Sequence, residues 1–245
     1  MPLDLYYFLP SPPCRAVLLA GKAVGVRLNL LEVCLLTGDK TPEFREVRRV
    51  NPLQTVPTLN DDGFILYESR AIMRYLFNAY GKDDSLYPTD PRARAIVDQR
   101  LDFDAGTLIE KWRGCVRPVI HWNAKSISDD AKKQLKEIFQ VLDGFIEACG
   151  GYCAGDHLTL ADFSIIPIVS GAEMSHRRSG KFPRILLDSN SSSRCGKGLE
   201  LVDLSEMKHL SEWLARCKQE MPGYEETNGK GTDAFVQIVR SKMAV

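Results

Sequence analysis

Residues 51–81 constrain the fold of this chain more than any other stretch, because they predict a strand, a turn, a second strand and a helix in direct succession. Residues 56–59 (VPTL) form a short apolar run, and residues 60–63 (NDDG) have the composition of a tight turn. Residues 64–67 (FILY) favour a second strand. The stretch therefore predicts a β-hairpin that leads straight into a helix.

The helix that follows the hairpin is predicted to begin near residue 69, with Ser69 as its N-cap. Gly81 supplies a stop signal at its C-terminal end. The apolar residues between them recur at helical spacing and share one face: Ile72, Met73, Leu76, Ala79 and Tyr80.

Two features of this stretch suggest a binding site. Pro57 lies in a strand but cannot donate a ladder hydrogen bond, so the main chain of Val56 is a candidate to pair with an extended peptide ligand. The Glu68-Ser69-Arg70 turn offers N–H groups, a hydroxyl and a guanidinium, which favour a carboxylate, while Glu68 suits an amino group. The residues fit a small-peptide site, and equally a plain helix cap with a surface ion pair.

The composition sets limits on the class of protein. The chain has 245 residues and is 44% hydrophobic, which is enough for a normal core in one or two domains. Its 32 basic and 32 acidic residues cancel, which argues against nucleic-acid or membrane partners. It contains no long apolar run that predicts a membrane span, and its N-terminus does not resemble a signal peptide. Seven scattered cysteines without a zinc pattern predict reduced thiols in the cytoplasm and no metal site.

Ser11 begins the first predicted helix, after a strand at residues 3–8. Serine followed by Pro12 is a common helix start, with serine as N-cap and proline in the first turn, so a structural cap is one role for Ser11. The same geometry allows a chemical role, because the hydroxyl keeps a proton to donate and the helix N-terminus favours an anion. A thiol placed there would have its pKa lowered.

The second half of the chain predicts only helices. Asp90-Pro91 is a cap followed by a first-turn proline, and apolar residues from Val97 to Trp112 recur at helical spacing. Residues 128–148 predict a second amphipathic helix and residues 205–220 a last one. Between them Thr159 and Asp162 form a capping box that opens a core helix.

The string NPLQTVPTL…ESRAI resembles the glutathione-binding half of the cytosolic glutathione transferases, and DLYYFLPSPPCRAV is similar to the N-terminus of the delta class (delta/epsilon-like). The resemblance covers residues 3–174 and 203–240. It implies a thioredoxin-like α/β domain over residues 1–82, a linker over 83–90 and an all-helical C-terminal domain over 91–245. A basic, serine-rich insertion at about 175–202 has no counterpart in the family, and both an interaction arm and a functionless insertion fit it.

The resemblance also implies residue roles in binding glutathione. Ser11 would be the catalytic residue that holds the glutathione sulfur as a thiolate, and Ser11-x-x-Cys14 argues against dithiol exchange. Val56, before a cis Pro57, would pair with the cysteinyl part, and Glu68 and Ser69 would hold the γ-glutamyl end. Arg70 matches the family pattern as a further glutathione-binding residue. Family histidines near the glycyl carboxylate are absent, and the residues in their place are Lys40 and Gln54.

The second substrate would lie, by the same resemblance, between Ser11 and the first long helix of the helical domain. Each side chain offered there is also compatible with ordinary core or surface packing. The candidates are Leu108, Trp112, Cys115, Arg117, Ile120 and His121.

The implied function is a homodimeric, cytoplasmic glutathione transferase that conjugates glutathione to small apolar electrophiles in detoxification. Glutathione would be a co-substrate, with no permanently bound cofactor, no metal and no nucleic-acid or membrane partner. Two alternatives stay open: a non-catalytic binder of apolar ligands or scaffold, and glutathione-dependent peroxide reduction at the same site.

Overall fold

The computed structural model of the chain describes residues 3–34, 41–173 and 201–244. Lys40 lies outside these ranges, and so does nearly all of the segment at about 175–202 that was expected to be an insertion. Its last two residues, Leu201 and Val202, are described and are buried in the helical core.

A four-stranded mixed sheet forms the centre of the N-terminal half. Its strands are β1 (Leu3–Tyr7), β2 (Leu28–Glu32), β3 (Thr58–Asp61) and β4 (Phe64–Tyr67). Their order in the sheet is β2-β1-β3-β4, with β1 parallel to β2 and antiparallel to β3, and β3 antiparallel to β4. The predicted hairpin is thus confirmed as β3 and β4.

Helices cover both faces of the sheet. Because side chains alternate along β1, Leu3 and Leu5 pack into the main core with α1 (Pro12–Val24) and α3 (Ser69–Tyr80). Tyr6 points to the other face and packs with Val47 of α2 (Pro42–Val50). α1 ends at Gly25, whose left-handed φ of 79° suits glycine at this position.

The second half contains six α-helices within the described residues, and two π-helical turns at residues 104–108 and 225–229. The helices are α4 (Pro91–Phe103), α5 (Ile109–Trp122), α6 (Asp129–Ala148), α7 (Leu160–Ala172), α8 (Lys208–Glu220) and α9 (Lys230–Ala244). The helix predicted from Val97 to Trp112 is therefore two helices joined by a π-helical turn. The helix predicted last, α8, is followed by α9, which the sequence analysis missed.

The core helix of this half is α7, which is buried along its whole length and packs against α1. The predicted capping box is confirmed: the buried Asp162 carboxylate accepts hydrogen bonds from the Thr159 N–H at 2.8 Å and the Thr159 hydroxyl at 2.9 Å. It also accepts from the Cys153 N–H at 2.9 Å and the Trp213 indole at 2.7 Å. Asp162 therefore joins α7, α8 and the loop before α7.

Two further findings concern membrane-spanning helices and the state of the cysteines. No helix in residues 3–34, 41–173 and 201–244 is both long and apolar enough to cross a membrane. Six cysteines in the same ranges are thiols that form no disulfide: Cys14, Cys34, Cys115, Cys149, Cys153 and Cys217.

Candidate active site

A cavity of about 400 Å³ lies between the sheet domain and the helices α5 and α9. One wall comes from the loops of the sheet domain and carries Ser11, Val56, Pro57, Glu68, Ser69 and Arg70, together with Phe8, Pro10, Pro12, Pro13 and Thr55. The opposite wall carries Ile109, Trp112, Arg113, Val116, Arg117, Ile120 and His121 of α5, and Phe235 and Ile238 of α9. Most of the predicted site residues therefore meet around one space.

Ser11 occupies the N-cap position of α1, with an extended backbone, but its side chain makes no capping hydrogen bond. Pro12 and Pro13 have no N–H groups, so two of the donors that a cap would satisfy do not exist. The expected structural role of the hydroxyl as a cap is therefore wrong. The hydroxyl lines the cavity at the positive end of a helix instead.

Cys14 lies beneath Ser11 and is fully buried. Its sulfur accepts a hydrogen bond from the Phe8 N–H at 3.4 Å. Burial raises the pKa of the Cys14 thiol to about 11, against the opposing effects of the Phe8 N–H, the Ser11 hydroxyl and the Arg15 charge. Cys14 is therefore a neutral thiol near pH 7, as its buried position predicts.

The loop that presents Val56 is held by Asn51, a buried residue that sequence analysis missed. The Asn51 amide donates to the Thr55 carbonyl at 3.0 Å and to the Thr58 hydroxyl at 2.9 Å. The Val56–Pro57 peptide is cis, and the β3 ladder begins at Thr58. Within the described residues no hydrogen bond reaches the Val56 main chain, so its N–H and carbonyl are available to a ligand.

The turn into α3 differs from its prediction. Glu68, not Ser69, occupies the N-cap position, and Ser69 is the first residue of the helix. Glu68 has a φ of 70°, a sparsely populated region for a side chain of this type, and backbone strain of this kind is concentrated at functional sites. Ser69 is buried and Glu68 is exposed, and both line the cavity.

The guanidinium of Arg70 is committed to a buried carboxylate. Its Nε and Nη2 donate to Asp104 Oδ2 at 3.0 and 2.6 Å, and its Nη1 lies 3.5 Å from the Ser69 hydroxyl. Ser164 donates to the same carboxylate oxygen. Burial raises the pKa of Asp104, opposed by the Arg70 charge and the Ser164 hydrogen bond. Arg70 therefore reaches the cavity wall with its guanidinium held by Asp104 and next to the Ser69 hydroxyl.

Replacing Asp104 by alanine is expected to destabilise the protein by about 3 kcal/mol, because it leaves the mostly buried Arg70 cation without a partner. Asp104→Asn is the matched control, since the asparagine amide oxygen still accepts hydrogen bonds from Arg70 and Ser164. This variant should lose about half as much folding stability as Asp104→Ala. Chemical denaturation measures both. Equal losses for the two variants would contradict this account of the pair.

The helical wall carries four of the residues predicted for the substrate pocket. Trp112, Arg117, Ile120 and His121 line the cavity. Leu108 and Cys115 do not, and this part of the prediction is wrong: both are fully buried, and their seven-residue separation places them on a core-facing side of the helix.

Sequence analysis missed several residues on this wall, and helical spacing could have identified those that belong to α5. Ile109 and Val116 lie three and four residues from Trp112, and Arg113 lies four residues from both Ile109 and Arg117, which is the spacing of one helix face. Phe235 and Ile238 belong to the missed helix α9, and the Phe235 ring packs 5.1 Å from that of Trp112.

Of the two residues expected near a glycyl carboxylate, one does not line the cavity and the other lies outside the described residues. Gln54 is exposed, with a φ of 54°, and does not line the cavity, although its neighbour Thr55 does. Lys40 lies outside the described residues.

Arg15 fixes α9 against α1 from below the cavity. It is fully buried and donates to the Asn228 side-chain oxygen at 2.6 Å, to the Thr232 hydroxyl, and to the Pro167 carbonyl at 3.1 Å. Burial lowers its pKa to about 9, so it is still charged near neutral pH. These contacts hold the start of α9 in place and so position Phe235.

Comparison with known proteins agrees with this geometry. The family profile "Glutathione S-transferase, N-terminal domain" matches residues 5–84, and "Glutathione S-transferase, C-terminal domain" matches residues 71–185. The chain is 36% identical to glutathione S-transferase D7 of Anopheles gambiae, over 98% of this chain and 97% of that protein.

Solved structures give the same result. A delta-class glutathione transferase of Nilaparvata lugens shares 42% identity with a TM-score of 0.82, over 98% of this chain and all of that one. A glutathione transferase homologue of Drosophila mojavensis, solved with bound glutathione, shares 30% identity with a TM-score of 0.81, over 98% of this chain and 97% of that one. Since these matches span nearly the whole length of both proteins, the chain belongs to the glutathione S-transferase family.

Proposed function

We propose that this enzyme conjugates glutathione to small apolar electrophiles, as in detoxification, and that Ser11 is its catalytic residue. One observation carries the proposal. The Ser11 hydroxyl lies on the cavity wall at the N-terminus of α1 without serving as a cap, and it faces a largely apolar helical wall across the cavity.

The proposed chemistry needs an ionised glutathione sulfur and an apolar electrophile in a site that excludes water. The Ser11 hydroxyl donates a hydrogen bond to the glutathione sulfur, and the helix N-terminus adds a positive potential; both favour the thiolate. The thiol pKa therefore falls from about 8.5, the value of an ordinary thiol. The thiolate then attacks an electrophilic carbon, a C–S bond forms, and a leaving group such as chloride departs with the bonding electron pair.

The glutathione peptide is proposed to lie along the sheet-domain wall. The open main-chain groups of Val56 would pair with its cysteinyl residue, as an added strand does. The buried Ser69 hydroxyl and the N–H groups of the first turn of α3 would donate hydrogen bonds to its γ-glutamyl carboxylate, and the Glu68 carboxylate would accept one from its amino group. Lys40 remains the proposed partner of the glycyl carboxylate.

A turnover assay with glutathione and an activated aryl chloride, combined with retention on immobilised glutathione, tests this function. We expect glutathione-dependent turnover together with retention. Retention without turnover on any electrophile would instead support a non-catalytic binder. Loss of both would overturn the assignment of the cavity as a glutathione site.

A homodimer is also proposed, through a surface aromatic patch that consists of the exposed Phe64 and Tyr80 and the half-buried Tyr75. Phe64 is 52% exposed, and its ring lies 5.2 Å from that of Tyr75, which lies 6.1 Å from Tyr80. Contiguous exposed aromatic surface is typical of protein interfaces.

Phe64→Asp is expected to weaken the dimer by at least about 100-fold, as loss of a central interface aromatic does. Val141→Asp, on the exposed side of α6, is the matched control, since it changes a similarly exposed apolar residue outside the patch. Sedimentation velocity should show monomers for the first variant and dimers for the second. Dimers in both cases would place the interface elsewhere.

A cytoplasmic location is the remaining part of the proposal. The six described cysteines are thiols that form no disulfide, which agrees with a reducing compartment. Localisation of a tagged full-length chain in cells of an insect line tests it, and a secreted or organellar signal would contradict it.

A further inference from the structure

The helical wall of the cavity carries a row of basic side chains. Arg113, Arg117 and His121 lie four residues apart along α5, so they share one face and span about 12 Å along the helix axis. All three line the cavity. Every ionisable residue that α5 and α9 contribute to the lining is basic.

The charge of this row is only partly compensated. Within the described residues, Glu110 is the carboxylate that pairs with both arginines: Arg113 contacts it directly, and Arg117 Nη1 lies 4.0 Å from it. Glu110 itself does not line the cavity. The single negative charge of Glu110, outside the cavity, therefore balances only one of the two guanidinium charges on the cavity wall. The exposed Arg117 makes the longer contact with it.

The other ionisable groups of the cavity do not cancel this excess. Arg70 is matched by the buried Asp104. Glu68 lies on the opposite wall, where the proposed glutathione amino group would occupy it. The chain as a whole has zero net charge, so the positive character of this wall is local.

Apolar side chains flank the basic row on the same wall. Trp112 and Phe235 stack against each other, and Ile109, Val116, Ile120 and Ile238 complete the surface. Such a wall buries an apolar body and leaves a row of hydrogen-bond donors for a charged group attached to it.

We propose that the preferred electrophiles of this enzyme have an apolar body and a carboxylate, with Arg117 and Arg113 binding the carboxylate and His121 donating a further hydrogen bond. The inference rests on the proposed function, because it names the substrate class of that same site. Arginine suits this task because its guanidinium can bind a carboxylate through two parallel hydrogen bonds.

The test compares two aryl chlorides that differ only in this group: 4-chloro-3-nitrobenzoate and its methyl ester. In both, glutathione sulfur bonds to the ring carbon and chloride leaves. Each enzymatic kcat/KM is divided by the uncatalysed rate constant with glutathione, which removes the difference in intrinsic reactivity. We expect the wild-type enzyme to favour the carboxylate by about tenfold in this corrected ratio, and the preference to shrink as salt is added.

Variants of the row make the test specific. Arg113→Gln/Arg117→Gln should bring the corrected ratio to about one, because it should lower kcat/KM for the carboxylate more than for the ester. Arg117→Lys should retain part of the preference, since it keeps a point charge. Lys82→Gln/Lys133→Gln is the charge-matched control, because it removes two exposed cations outside the cavity, and it should keep the full preference.

Three results would overturn the inference. The first is turnover of both substrates by the wild-type enzyme without a preference for the carboxylate, which leaves the proposed function intact. The second is a preference that survives in the double variant. The third is a large rise in the glutathione KM in that variant, which would assign the row to glutathione. Failure of both substrates and of every neutral aryl chloride would instead contradict the proposed function itself.

Discussion

Replacing Ser11 by alanine is expected to lower the turnover of glutathione with an activated aryl chloride by about 100-fold or more. A decrease of this size is expected when an active site loses one preorganised hydrogen-bond donor to an anion. Without it, the bound thiol ionises at a higher pH, so the pH–rate profile should move to the alkaline side. The KM for glutathione should change much less, because the peptide contacts proposed for Val56, Glu68 and Ser69 do not involve Ser11.

Two variants separate this chemical role from a structural one. Ser11→Thr keeps the hydroxyl and should retain most of the activity. Cys14→Ala changes the buried thiol beneath Ser11, and it should reduce stability more than the rate per folded enzyme. If Ser11→Ala turned over within a few-fold of wild type at neutral pH, the assignment of Ser11 as the catalytic residue would be wrong.

Asp162→Ala is expected to cause the largest loss of folding stability, about 4 kcal/mol or more. The carboxylate is fully buried and accepts four hydrogen bonds, and each donor left without a partner in the core costs about 1–3 kcal/mol. Urea denaturation followed by tryptophan fluorescence measures this loss, and one of the three tryptophans of the chain is the buried Trp213, whose indole donates to Asp162.

A matched exposed acid provides the control. Asp129, in the first turn of α6, is fully exposed, so Asp129→Ala should cost less than about 1 kcal/mol. A small loss for Asp162→Ala, comparable with that of Asp129→Ala, would show that the four donors find other partners and that the capping box does not hold α7 and α8 together.

Sequence patterns predicted the elements whose signals are local. The hairpin of β3 and β4 was recognisable from its turn composition, and the capping box from two residues at fixed spacing. α2 was missed because its sequence is mostly charged and buries a single residue, Val47. α9 was missed because Gly229 and Gly231 lie at its start and suggest a loop.

Prediction of the site failed where tertiary contacts decide. Ser11, Val56 and Ser69, which the family resemblance assigned to one site, line the same cavity, but the resemblance could not show that Arg70 is bound to Asp104, a residue 34 positions away. Leu108 and Cys115 were predicted to line the pocket, since helical spacing alone does not tell which apolar face meets the core. Phe235 depends on α9, which Arg15 holds in place through contacts more than 200 residues apart in sequence.

The pKa of the enzyme-bound glutathione thiol tests the central claim most directly. It is measured by titrating the ultraviolet absorbance of the thiolate in the binary complex, without any electrophile. The account predicts a value clearly below about 8.5 in the wild-type enzyme and a return toward that value in Ser11→Ala. A bound thiol that titrates like free glutathione in the wild-type enzyme would contradict the role of Ser11 and of the helix α1 N-terminus.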